Sequence, residues 1–473
     1  MKSTPYFAAG RFRAEGDRMK VMNPYTGKQV GSVVLAGPEV LDGCIRAGMD
    51  ALEVLSDTPL HQRSQWLAAI AGEMENSRET LAEILMQESG KPIRLAMGET
   101  DRAIQTFRIA AQEVLRQPGE YLPVDWTPAG EGKEAWIRHF PAGIVAGISP
   151  FNFPLNLSAH KIAPALAAGC PIILKPSSST PLSALAMAGA IQAAGLPAGS
   201  VSVLPMKREH GDLLVTDPRF AVLSFTGSPE VGWSMKSRAG KKKVILELGG
   251  NAGVIITPSS DLDLAVNKCV SGGFAYSGQV CIHTQRIFVH REVFDAFSTA
   301  FVKAVNRLKA GDPADQNTDI SVMIDEANAI RVASWLEEAT REGATILTGG
   351  QRQGSYLEPT VVTNTKPHMK ICELEIFGPV VTLEPYDTLD EAIGWINEGR
   401  YGLQAGIFTR HIDEMNQAFR NLQVGGVILN DVPTFRVDHM PYGGVKDSGM
   451  GREGVRYAML EMMEPRILVK PMI

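Results

Sequence analysis

Short strands rich in β-branched residues alternate with helical stretches along most of the chain, and this alternation constrains the fold more than any other feature. The apolar runs AGIVAGISP, CPIILKPS, SVSVLP and AVLSFTGS each end in Gly, Pro or Ser. Helical stretches such as LNLSAHKIAPALAAG fill the intervals between them. Strands that alternate with helices in this way predict βαβ units, in which a parallel sheet carries helices on both faces.

The chain is long enough for two such lobes, because single hydrophobic cores stop growing beyond about 250–300 residues and this chain has 473. A second alternation from about Asn251 to Asn430 predicts the second lobe. Residues 38–118 carry three helical runs, one of which ends at a predicted glycine cap, Gly90. The segment EYLPVDWTPAGEGKEAWIRHFP alternates between glycines and prolines, which predicts an extended hairpin outside both lobes.

The composition argues against several classes of protein. Apolar residues make up 44% and charged residues 21% of the chain, which is ordinary for a soluble globular protein. The net charge of −6 provides no basic field, so no nucleic-acid partner is expected. The N-terminal stretch lacks the apolar region of a secretory signal, and Lys, His, Asn or Pro interrupt every apolar run before about 18 residues. We therefore expect a cytoplasmic protein without a membrane span.

Five cysteines are scattered through the chain: Cys44, Cys170, Cys269, Cys281 and Cys372. Their odd number, wide spacing and lack of a CxxC pair argue against a disulfide framework or a zinc site, and no metal is expected. Cys281 in SGQVCIHTQR is either a packed core residue or an accessible nucleophile. Its neighbours Gly278, Gln279 and His283 form a polar turn, which favours the accessible thiol.

Two glycine-containing segments are candidates for binding phosphate groups. In SFTGSPEVG, Gly227 permits a tight turn and a helix begins near Ser228, so helix N–H groups would face a phosphate. An ordinary Ser-Pro helix start is the alternative. GMGREG, from Gly449 to Gly454, matches the dinucleotide fingerprint but follows a loop rather than a strand, so we predict a tight turn there.

Two further polar side chains lie at predicted strand ends. Glu247 in LELGGN is either an edge-strand carboxylate that faces water or a buried carboxylate whose raised pKa suits a general base. Asn152 in SPFNFPLNL lies between two phenylalanines. It either caps a turn or directs its NH₂ group at a developing oxyanion.

Each of these signals is weak alone, but together they match one family. Seven segments follow one another in the family's order: PFNFP with Asn152, LKPSSSTP with Lys175, FTGS, LELGG with Glu247, GQVC with Cys281, EIFGPV with Glu375, and PYGGVKDSG. The chain resembles the NAD(P)-dependent aldehyde dehydrogenases over nearly all of its length. The resemblance implies an α/β fold with two Rossmann-like lobes, a cofactor domain and a catalytic domain, plus a small β excursion for oligomerisation.

The resemblance also implies a mechanism. The Cys281 thiolate attacks the aldehyde carbon, and the Asn152 side chain and the Cys281 N–H group hold the oxyanion of the thiohemiacetal. Hydride transfer to the nicotinamide leaves a thioester, and Glu247 activates the water that hydrolyses it. Two alternatives remain, namely a relative that passes the acyl group to CoA and a catalytically silent protein on the same fold. Retention of Glu247 argues against the first, and the intact set of three residues argues against the second.

The resemblance further implies contacts to the cofactor. Lys175 would bind the adenosine ribose, Ser228 a pyrophosphate oxygen and Glu375 the nicotinamide ribose, with Phe377 packed nearby. The remaining implied cofactor-binding residues are Ser149, Pro150, Phe151, Ser178, Gly227, Val231 and Leu248.

Domain limits follow from the same resemblance. Residues 1–121 and 141–248 would form the dinucleotide-binding domain and residues 249–445 the catalytic domain. Residues 122–140 and 446–473 would form a bridging segment between subunits. The tail EPRILVKPMI alternates apolar and polar residues and would leave an exposed strand edge, so a homodimer or homotetramer is expected.

Three basic residues bear on the substrate. His160 aligns with an arginine of succinate-semialdehyde dehydrogenases, Arg108 lies on a helix that lines the family's substrate tunnel, and Arg436 lies in the loop that closes it. They predict a small aldehyde with a polar or anionic tail, although Arg108 and Arg436 could instead form surface ion pairs. FRVDHMPYGGVKDSG resembles lactaldehyde and phosphonoacetaldehyde dehydrogenases, but the arginine that the latter carry before the cysteine is Val280 here.

The segment after Lys175 bears on the choice of cofactor. Many NAD-preferring relatives carry a glutamate three residues after this lysine, and this chain has Ser178 there. A carboxylate would repel the 2′-phosphate of NADP, whereas a hydroxyl can donate to it. Lys207 or Arg208 in MKREHG would add positive charge. We expect NADP to be accepted at least as well as NAD, the alternative being an enzyme that uses both indifferently.

Overall fold

The computed structural model describes residues 3–472. Within that range the strands are β1 (Tyr6–Ala8), β2 (Arg11–Arg13), β3 (Arg18–Met22), β4 (Gln29–Val34), β5 (Gly119–Pro123), β6 (Lys133–Pro141), β7 (Ile144–Ile148), β8 (Ile172–Lys175), β9 (Val201–Val203), β10 (Phe220–Thr226), β11 (Lys243–Glu247), β12 (Ala252–Ile256), β13 (Thr284–His290), β14 (Thr345–Thr348), β15 (Arg352–Gln353), β16 (Tyr356–Leu357), β17 (Thr360–Thr363), β18 (Val380–Tyr386), β19 (Tyr401–Gly402), β20 (Gln404–Phe408), β21 (Gly426–Leu429), β22 (Val445–Lys446), β23 (Gly449–Met450) and β24 (Met463–Pro471).

The helices within the same range are α1 (Pro38–Asp57), α2 (Leu60–Asn76), α3 (Arg78–Ser89), α4 (Ile93–Glu113), α5 (Pro154–Ala168), α6 (Leu182–Ala193), α7 (Arg208–Thr216), α8 (Pro229–Arg238), α9 (Leu262–Phe274), α10 (Arg291–Val305), α11 (Glu326–Arg341), α12 (Lys370–Glu373), α13 (Leu389–Glu398), α14 (Ile412–Asn421) and α15 (Val455–Glu461). Helix α3 ends at Gly90 with φ of 67°, so the predicted glycine cap is confirmed.

The first large sheet has eight strands in the order β2-β1-β9-β8-β7-β10-β11-β23. Its central strands, from β9 through β11, pair in parallel, and the outer strands pair antiparallel. Strand β7 is buried along its whole length, as its apolar sequence IVAGI requires of a strand covered on both faces. Residues of α2 to α6 pack on one face, and residues of α1 and α7 pack on the other.

The second large sheet has seven strands in the order β14-β17-β18-β13-β12-β20-β21, all parallel except β14. Helices α9 and α10 cover one face, and α13 and α14 cover the other. The two sheets confirm the predicted α/β fold with two parallel-rich lobes.

A separate three-stranded sheet joins the predicted excursion to the C-terminal tail. Strands β5 and β6 form the hairpin, and β24 pairs with β6 from Met463 opposite Pro141 to Pro471 opposite Lys133. The predicted bridging segment 446–473 is, however, divided. Strand β23 pairs with β11 of the first sheet, and α15 packs there through buried Val455 and Met459, so the tail joins the hairpin only from Met463 onward.

A buried ion pair anchors the loop before α5. Lys91 and Glu99 are almost fully buried and contact each other directly. Glu99 Oε1 accepts hydrogen bonds from the N–H groups of Leu155 (3.0 Å) and Asn156 (3.2 Å), and Lys91 Nζ donates to the carbonyl of Asn152 (2.8 Å). An acidic group at a helix N-terminus satisfies N–H groups that have no partner within the helix. The pair therefore fixes both the start of α5 and the position of Asn152.

We predict that Glu99→Gln lowers the free energy of unfolding by about 3–5 kcal/mol, because removing one partner leaves the buried Lys91 charge uncompensated. Thermal and chemical denaturation followed by circular dichroism would measure the change. Asp101→Asn is the matched control on the same helix, since its ion pair with Arg78 is largely exposed. The control should change stability by less than about 1 kcal/mol, and equal losses in the two variants would contradict the assignment.

Candidate active site

The turn that carries Cys281 has an unusual backbone. Tyr276 and Ser277 have φ of 49° and 53°, a left-handed conformation that side-chain-bearing residues rarely adopt. Two hydrogen bonds hold it: Tyr276 Oη donates to the carbonyl of Ser89 (3.0 Å) and Ser277 Oγ donates to the carbonyl of Ser321 (2.8 Å). Strain of this kind persists only where the surroundings enforce it, and it clusters at functional sites.

The Cys281 thiol is partly accessible and is not in a disulfide. Its Sγ atom lies 3.0 Å from the Tyr442 hydroxyl oxygen. Burial raises the pKa of the Cys281 thiol to about 11, while the Tyr442 hydrogen bond and the Arg436 charge oppose that rise. Gly250 passes so close to the Cys281 carbonyl that no side chain fits there, which explains the second glycine of LELGGN.

Asn152 approaches the same turn from the first sheet. Its side chain is buried, and Nδ2 donates a hydrogen bond to the carbonyl of Gln279 (3.0 Å). Gln279 is itself fixed, because its Oε1 accepts from the Ile324 N–H group (2.8 Å). The Asn152 side chain makes its hydrogen bond to the distant Gln279 rather than to its own turn, and Phe153 occupies the N-cap of α5, which disfavours the turn-capping alternative for Asn152. The second N–H of the Asn152 amide has no partner within residues 3–472.

Glu247 ends strand β11, which pairs with β10 on one side and β23 on the other. Its carboxyl is 3% exposed, so the alternative of an edge-strand glutamate facing water is wrong. Burial and the neighbouring Glu453 charge raise the pKa of Glu247 well above its ordinary value, against the charges of Arg436 and Lys161. Neither carboxyl oxygen has a hydrogen-bond partner among the described residues.

Lys161 and Glu453 are buried charged residues that the sequence interpretation missed. Lys161 Nζ donates to Ser224 Oγ (3.1 Å) and Thr226 Oγ1 (2.8 Å) and lies 3.4 Å from Glu453. Arg436 donates to the other oxygen of Glu453 at 2.9 Å. Burial raises the pKa of Glu453, but the two cations outweigh it and hold the pKa at about 2. A lysine inside the otherwise apolar helix α5 was the available signal.

Cys281, Asn152 and Glu247 line one cavity of about 770 Å³. It lies beyond the carboxyl ends of β7, β8, β10 and β11, where α/β sheets bind ligands. Ten of the predicted cofactor-binding residues line it as well: Ser149, Pro150, Phe151, Lys175, Ser178, Gly227, Ser228, Leu248, Glu375 and Phe377.

An adjoining cavity of about 420 Å³ also has Lys175 in its wall, together with the remaining predicted cofactor residue, Val231. Lys175 Nζ lies 3.5 Å from the carbonyl oxygen of Pro176 and forms no ion pair within residues 3–472, and burial lowers its pKa. Arg208 lines this adjoining cavity, whereas Lys207 pairs with Asp17 (2.8 Å) on the exposed surface. Of the two basic candidates in MKREHG, only Arg208 lies beside Lys175.

Two further features shape the wall of the larger cavity. Ser228 is the N-cap of α8 and makes no side-chain capping hydrogen bond, so its hydroxyl and the helix N–H groups remain available. Glu375 Oε1 accepts from the N–H group of Gly250 (3.0 Å), and burial raises the pKa of Glu375 to about 8. Phe377 packs edge-to-face on Phe151 with ring centroids 5.8 Å apart.

The predicted substrate residues His160 and Arg436 are buried close to the site. His160 Nε2 lies 2.7 Å from Asp438 Oδ1, and burial together with the Arg436 charge lowers the pKa of the imidazole. The Arg436 guanidinium lies 3.7 Å above the Tyr442 ring, so its ion pair is not on the surface. Arg102, which was not predicted, donates to Asp438 at 2.6 Å.

Arg108 is a correction to the sequence interpretation. Its guanidinium forms an ion pair with Glu75, and both side chains are about half exposed. Arg108 lies on the outer face of α4, whereas Thr106 and Phe107 are buried. None of Arg102, Arg108 and Arg436 lines either cavity, so exposure and ion pairing separate them. The alternative of a surface ion pair is therefore the right one for Arg108.

Comparison with known proteins decides the family. The model of the aldehyde dehydrogenase family matches residues 12–468. The 3-sulfolactaldehyde dehydrogenase of Priestia aryabhattai is 41% identical over 470 residues, covering 99% of this chain and 98% of the relative. The chain belongs to the aldehyde dehydrogenase family.

Solved structures agree with this assignment. Aldehyde dehydrogenase 21 from Physcomitrella patens, in complex with the reaction product succinate, superposes with a TM-score of 0.98 at 43% identity, covering 99% of this chain and 98% of the other. The NADP-dependent glyceraldehyde-3-phosphate dehydrogenase from Bacillus halodurans, complexed with NADP, gives 0.96 at 35% identity and covers all of both chains. The predicted family, fold and oxidoreductase class are confirmed.

This aldehyde dehydrogenase also has a cavity outside the candidate site. A third cavity of about 400 Å³, lined by Arg286, Cys372 and Trp395 among others, contains none of the predicted site residues. Among residues 3–472, no helix is both long enough and apolar enough to cross a lipid bilayer.

Proposed function

We propose that this aldehyde dehydrogenase oxidises a small aldehyde with a polar or anionic tail to the free carboxylic acid, with Cys281 as nucleophile and Glu247 as general base. The observation that carries the proposal is the shared cavity, in which the thiol, the Asn152 amide and the Glu247 carboxyl meet the residues predicted to hold a dinucleotide.

Attack on the aldehyde forms a bond between Cys281 Sγ and the carbonyl carbon and moves the carbonyl electron pair onto oxygen. The free N–H of the Asn152 amide and the backbone N–H of Cys281 are the donors proposed for that oxyanion, since neither has another partner within residues 3–472. A preorganised donor of this kind contributes about 2.7–4 kcal/mol to the transition state.

The acyl group then leaves Cys281 by hydrolysis. Glu247 suits the role of base, because its raised pKa lies closer to the working pH than that of an ordinary glutamate. Glu453, fixed as an anion by Lys161 and Arg436, cannot take that role. Water attacks the thioester carbon, Glu247 takes one of its protons, and the carbon–sulfur bond breaks to release the acid and the Cys281 thiolate, after which Glu247 returns its proton to the solvent.

The cavity fits NAD(P), which supplies the hydride acceptor when it is bound. The unpaired Lys175 ammonium, the open N-terminus of α8 at Ser228 and the Glu375 carboxyl would hold its adenosine ribose, pyrophosphate and nicotinamide ribose. We propose that NADP is used at least as well as NAD. Lys175, Arg208 and the Ser178 hydroxyl provide two cations and a donor. Asp212 and Glu230 also line the adjoining cavity, but Asp212 is paired with Arg238, and position 178 carries no carboxylate.

Arg102 and Arg436 are the residues we propose for recognising an anionic tail. In the pair between Arg102 and Asp438 the arginine is 31% exposed and the aspartate only 5%, so the accessible charge is positive. Arg102 uses Nε and Nη2 for Asp438, and Nη1 has no partner within residues 3–472. One relative is named for 3-sulfolactaldehyde, and another was crystallised with its product succinate; both molecules are small and anionic.

A homo-oligomer is proposed from the three-stranded sheet. Strand β24 is largely exposed and leaves one edge unpaired within residues 3–472. Tyr121, Ile467, Leu468 and Val469 on this sheet are each about half exposed. An exposed apolar sheet with an open edge requires a partner chain to avoid uncontrolled association. The five free cysteines are consistent with the reducing cytoplasm that we propose as its location.

The first test uses Cys281→Ala and Glu247→Gln. Cys281→Ala should abolish aldehyde oxidation and retain NADP binding, measured by fluorescence titration. Glu247→Gln should release a burst of about one reduced cofactor per subunit and then stall at the thioester.

In the wild-type enzyme the steady-state rate should rise with pH through the raised pKa of Glu247, because the base must be ionised.

Stopped-flow absorbance with and without CoA completes this test. Turnover of Glu247→Gln at the wild-type rate would show that Glu247 is not the base. A wild-type enzyme that turns over only with CoA would favour the acyl-transfer alternative, and no reduction with any aldehyde would favour a catalytically silent protein.

The second test compares Arg102→Met with Arg108→Met. Arg102→Met should lower kcat/KM for succinate semialdehyde or 3-sulfolactaldehyde about tenfold, or about 1.4 kcal/mol, and should leave kcat/KM for the neutral lactaldehyde within about twofold. Arg108→Met removes the same charge from the surface of the same helix and should change neither. A wild-type kcat/KM that is highest for a long apolar aldehyde would contradict the proposal of an anionic tail.

The third test concerns the cofactor. Ser178→Glu should lower kcat/KM for NADP about tenfold or more, about 1.4 kcal/mol, because the new carboxylate faces the 2′-phosphate. Arg208→Ala should weaken NADP binding, whereas Lys207→Ala, whose lysine pairs with Asp17, should not. A wild-type enzyme that strongly prefers NAD would contradict the proposal.

A further inference from the structure

The Tyr442 hydroxyl touches the sulfur of the proposed nucleophile. Its oxygen lies 3.0 Å from Cys281 Sγ and has no other hydrogen-bond partner within residues 3–472. No other side chain in that range forms a hydrogen bond to this sulfur. Tyr442 is 3% exposed, so the surrounding protein shields its side chain from bulk water. The sulfur therefore has one fixed polar neighbour.

The surroundings of Tyr442 hold that hydroxyl in place. Its backbone exchanges two hydrogen bonds with Glu453, of 3.0 Å and 2.6 Å. The guanidinium of Arg436 lies 3.7 Å above the ring, and Glu453 binds that guanidinium in turn. Val280, Ile282 and Leu403 pack around the ring in one apolar cluster. Such a constrained side chain needs little reorganisation during a reaction.

The direction of the hydrogen bond follows from the protonation states. Burial and the neighbouring Cys281 raise the pKa of Tyr442 well above its ordinary value, so the phenol keeps its proton at the pH at which the enzyme works. A thiolate has no proton to donate. Once Cys281 ionises, the bond must therefore run from the Tyr442 O–H group to Sγ, and a hydrogen bond to the ionised form favours that form.

We propose that Tyr442 is a catalytic residue whose hydroxyl donates a hydrogen bond to the Cys281 thiolate and thereby increases the fraction of active nucleophile near neutral pH. The proposal rests on the role of Cys281 proposed above. The thiol proton passes to water, and the phenol O–H bond stays intact throughout. Among the other charged groups that face Cys281, Arg436 also favours the thiolate, whereas Glu375 and Glu247 oppose it.

The test measures the alkylation of Cys281 by iodoacetamide in the full-length protein from about pH 6 to about pH 10, since only the thiolate reacts. Mass spectrometry of the peptide that contains Cys281 separates it from the four other cysteines. The whole range lies below the raised pKa of Cys281, so Tyr442→Phe should slow alkylation about tenfold at every pH measured, which corresponds to an upward shift of about 1 in that pKa. A profile that superimposes on the wild type would overturn the proposal.

Tyr386→Phe is the matched control, because it removes another buried tyrosine hydroxyl, one that donates to the carbonyl of Ile256 (3.2 Å) in the second sheet. It should leave the Cys281 profile unchanged. An equal shift in this control would show a general effect of destabilisation and would overturn the proposal.

Replacement of all tyrosines by 3-fluorotyrosine provides a second measurement if Tyr442→Phe fails to fold. The fluorinated phenol is more acidic and a stronger donor, so Cys281 should be alkylated faster at each pH measured, and an unchanged or slower rate would overturn the proposal. Alkylation requires neither aldehyde nor cofactor. Failure of the proposed function, seen as oxidation by Cys281→Ala, is therefore distinguishable from failure of the Tyr442 proposal.

Discussion

The buried charges around Glu453 are the interaction on which the rest of the site depends. Lys161 comes from α5 and Arg436 from the loop before β22, and both bind Glu453, which precedes α15. An isolated buried charge is very costly, so each of the three requires the others. This requirement draws the C-terminal segment back onto the first sheet and brings Tyr442 against Cys281, although the hydrogen-bonded residues Lys161 and Glu453 are 292 positions apart in sequence.

The same principle operates at the other wall of the cavity. Lys91 and Glu99 neutralise each other and form further hydrogen bonds to the backbone of Asn152 and Leu155. The two donors proposed for the oxyanion thus come from segments that buried charges and a strained turn hold independently. Preorganisation of this kind is what distinguishes a site for a transition state from a polar pocket.

The sequence predicted the parts of the site that follow from chain order and missed those that depend on distant contacts. Asn152, Lys175, Ser228 and Glu247 each follow a parallel strand, and the carboxyl ends of parallel strands share one edge, so their convergence was predictable. Glu453 could not be predicted, because its partners lie far away in sequence and leave no periodic pattern.

Arg102 and Arg108 show why the substrate residues were harder to predict. They are six positions apart on α4, which at about 100° per residue places them about 120° apart around the helix. Only Arg102 faces the loop that carries Asp438, whereas Arg108 faces Glu75. The predicted residue, Arg108, lies on the exposed face of the helix that also carries the proposed one, Arg102. The fingerprint GMGREG was predicted to be a tight turn, but Gly449 and Met450 form the short strand β23, and the chain bends only after it. The predicted need for glycine's conformational freedom is met at Gly449, Gly451 and Gly454, which all have positive φ.

The PYGG segment, residues 441–444, lies beside both Cys281 and Glu247. Tyr442 contacts the sulfur proposed to form the thioester, and the next residue, Gly443, lies against the carboxyl proposed to activate the hydrolytic water. A Cβ atom at Gly443 would lie 2.9 Å from Glu247 Oε1 and 2.8 Å from the carbonyl of Gly451, with φ at 156°. Neither contact allows a side chain, so glycine keeps the space that Glu247 and its water require. Adjacent residues thereby contact the proposed nucleophile and leave space beside the proposed base.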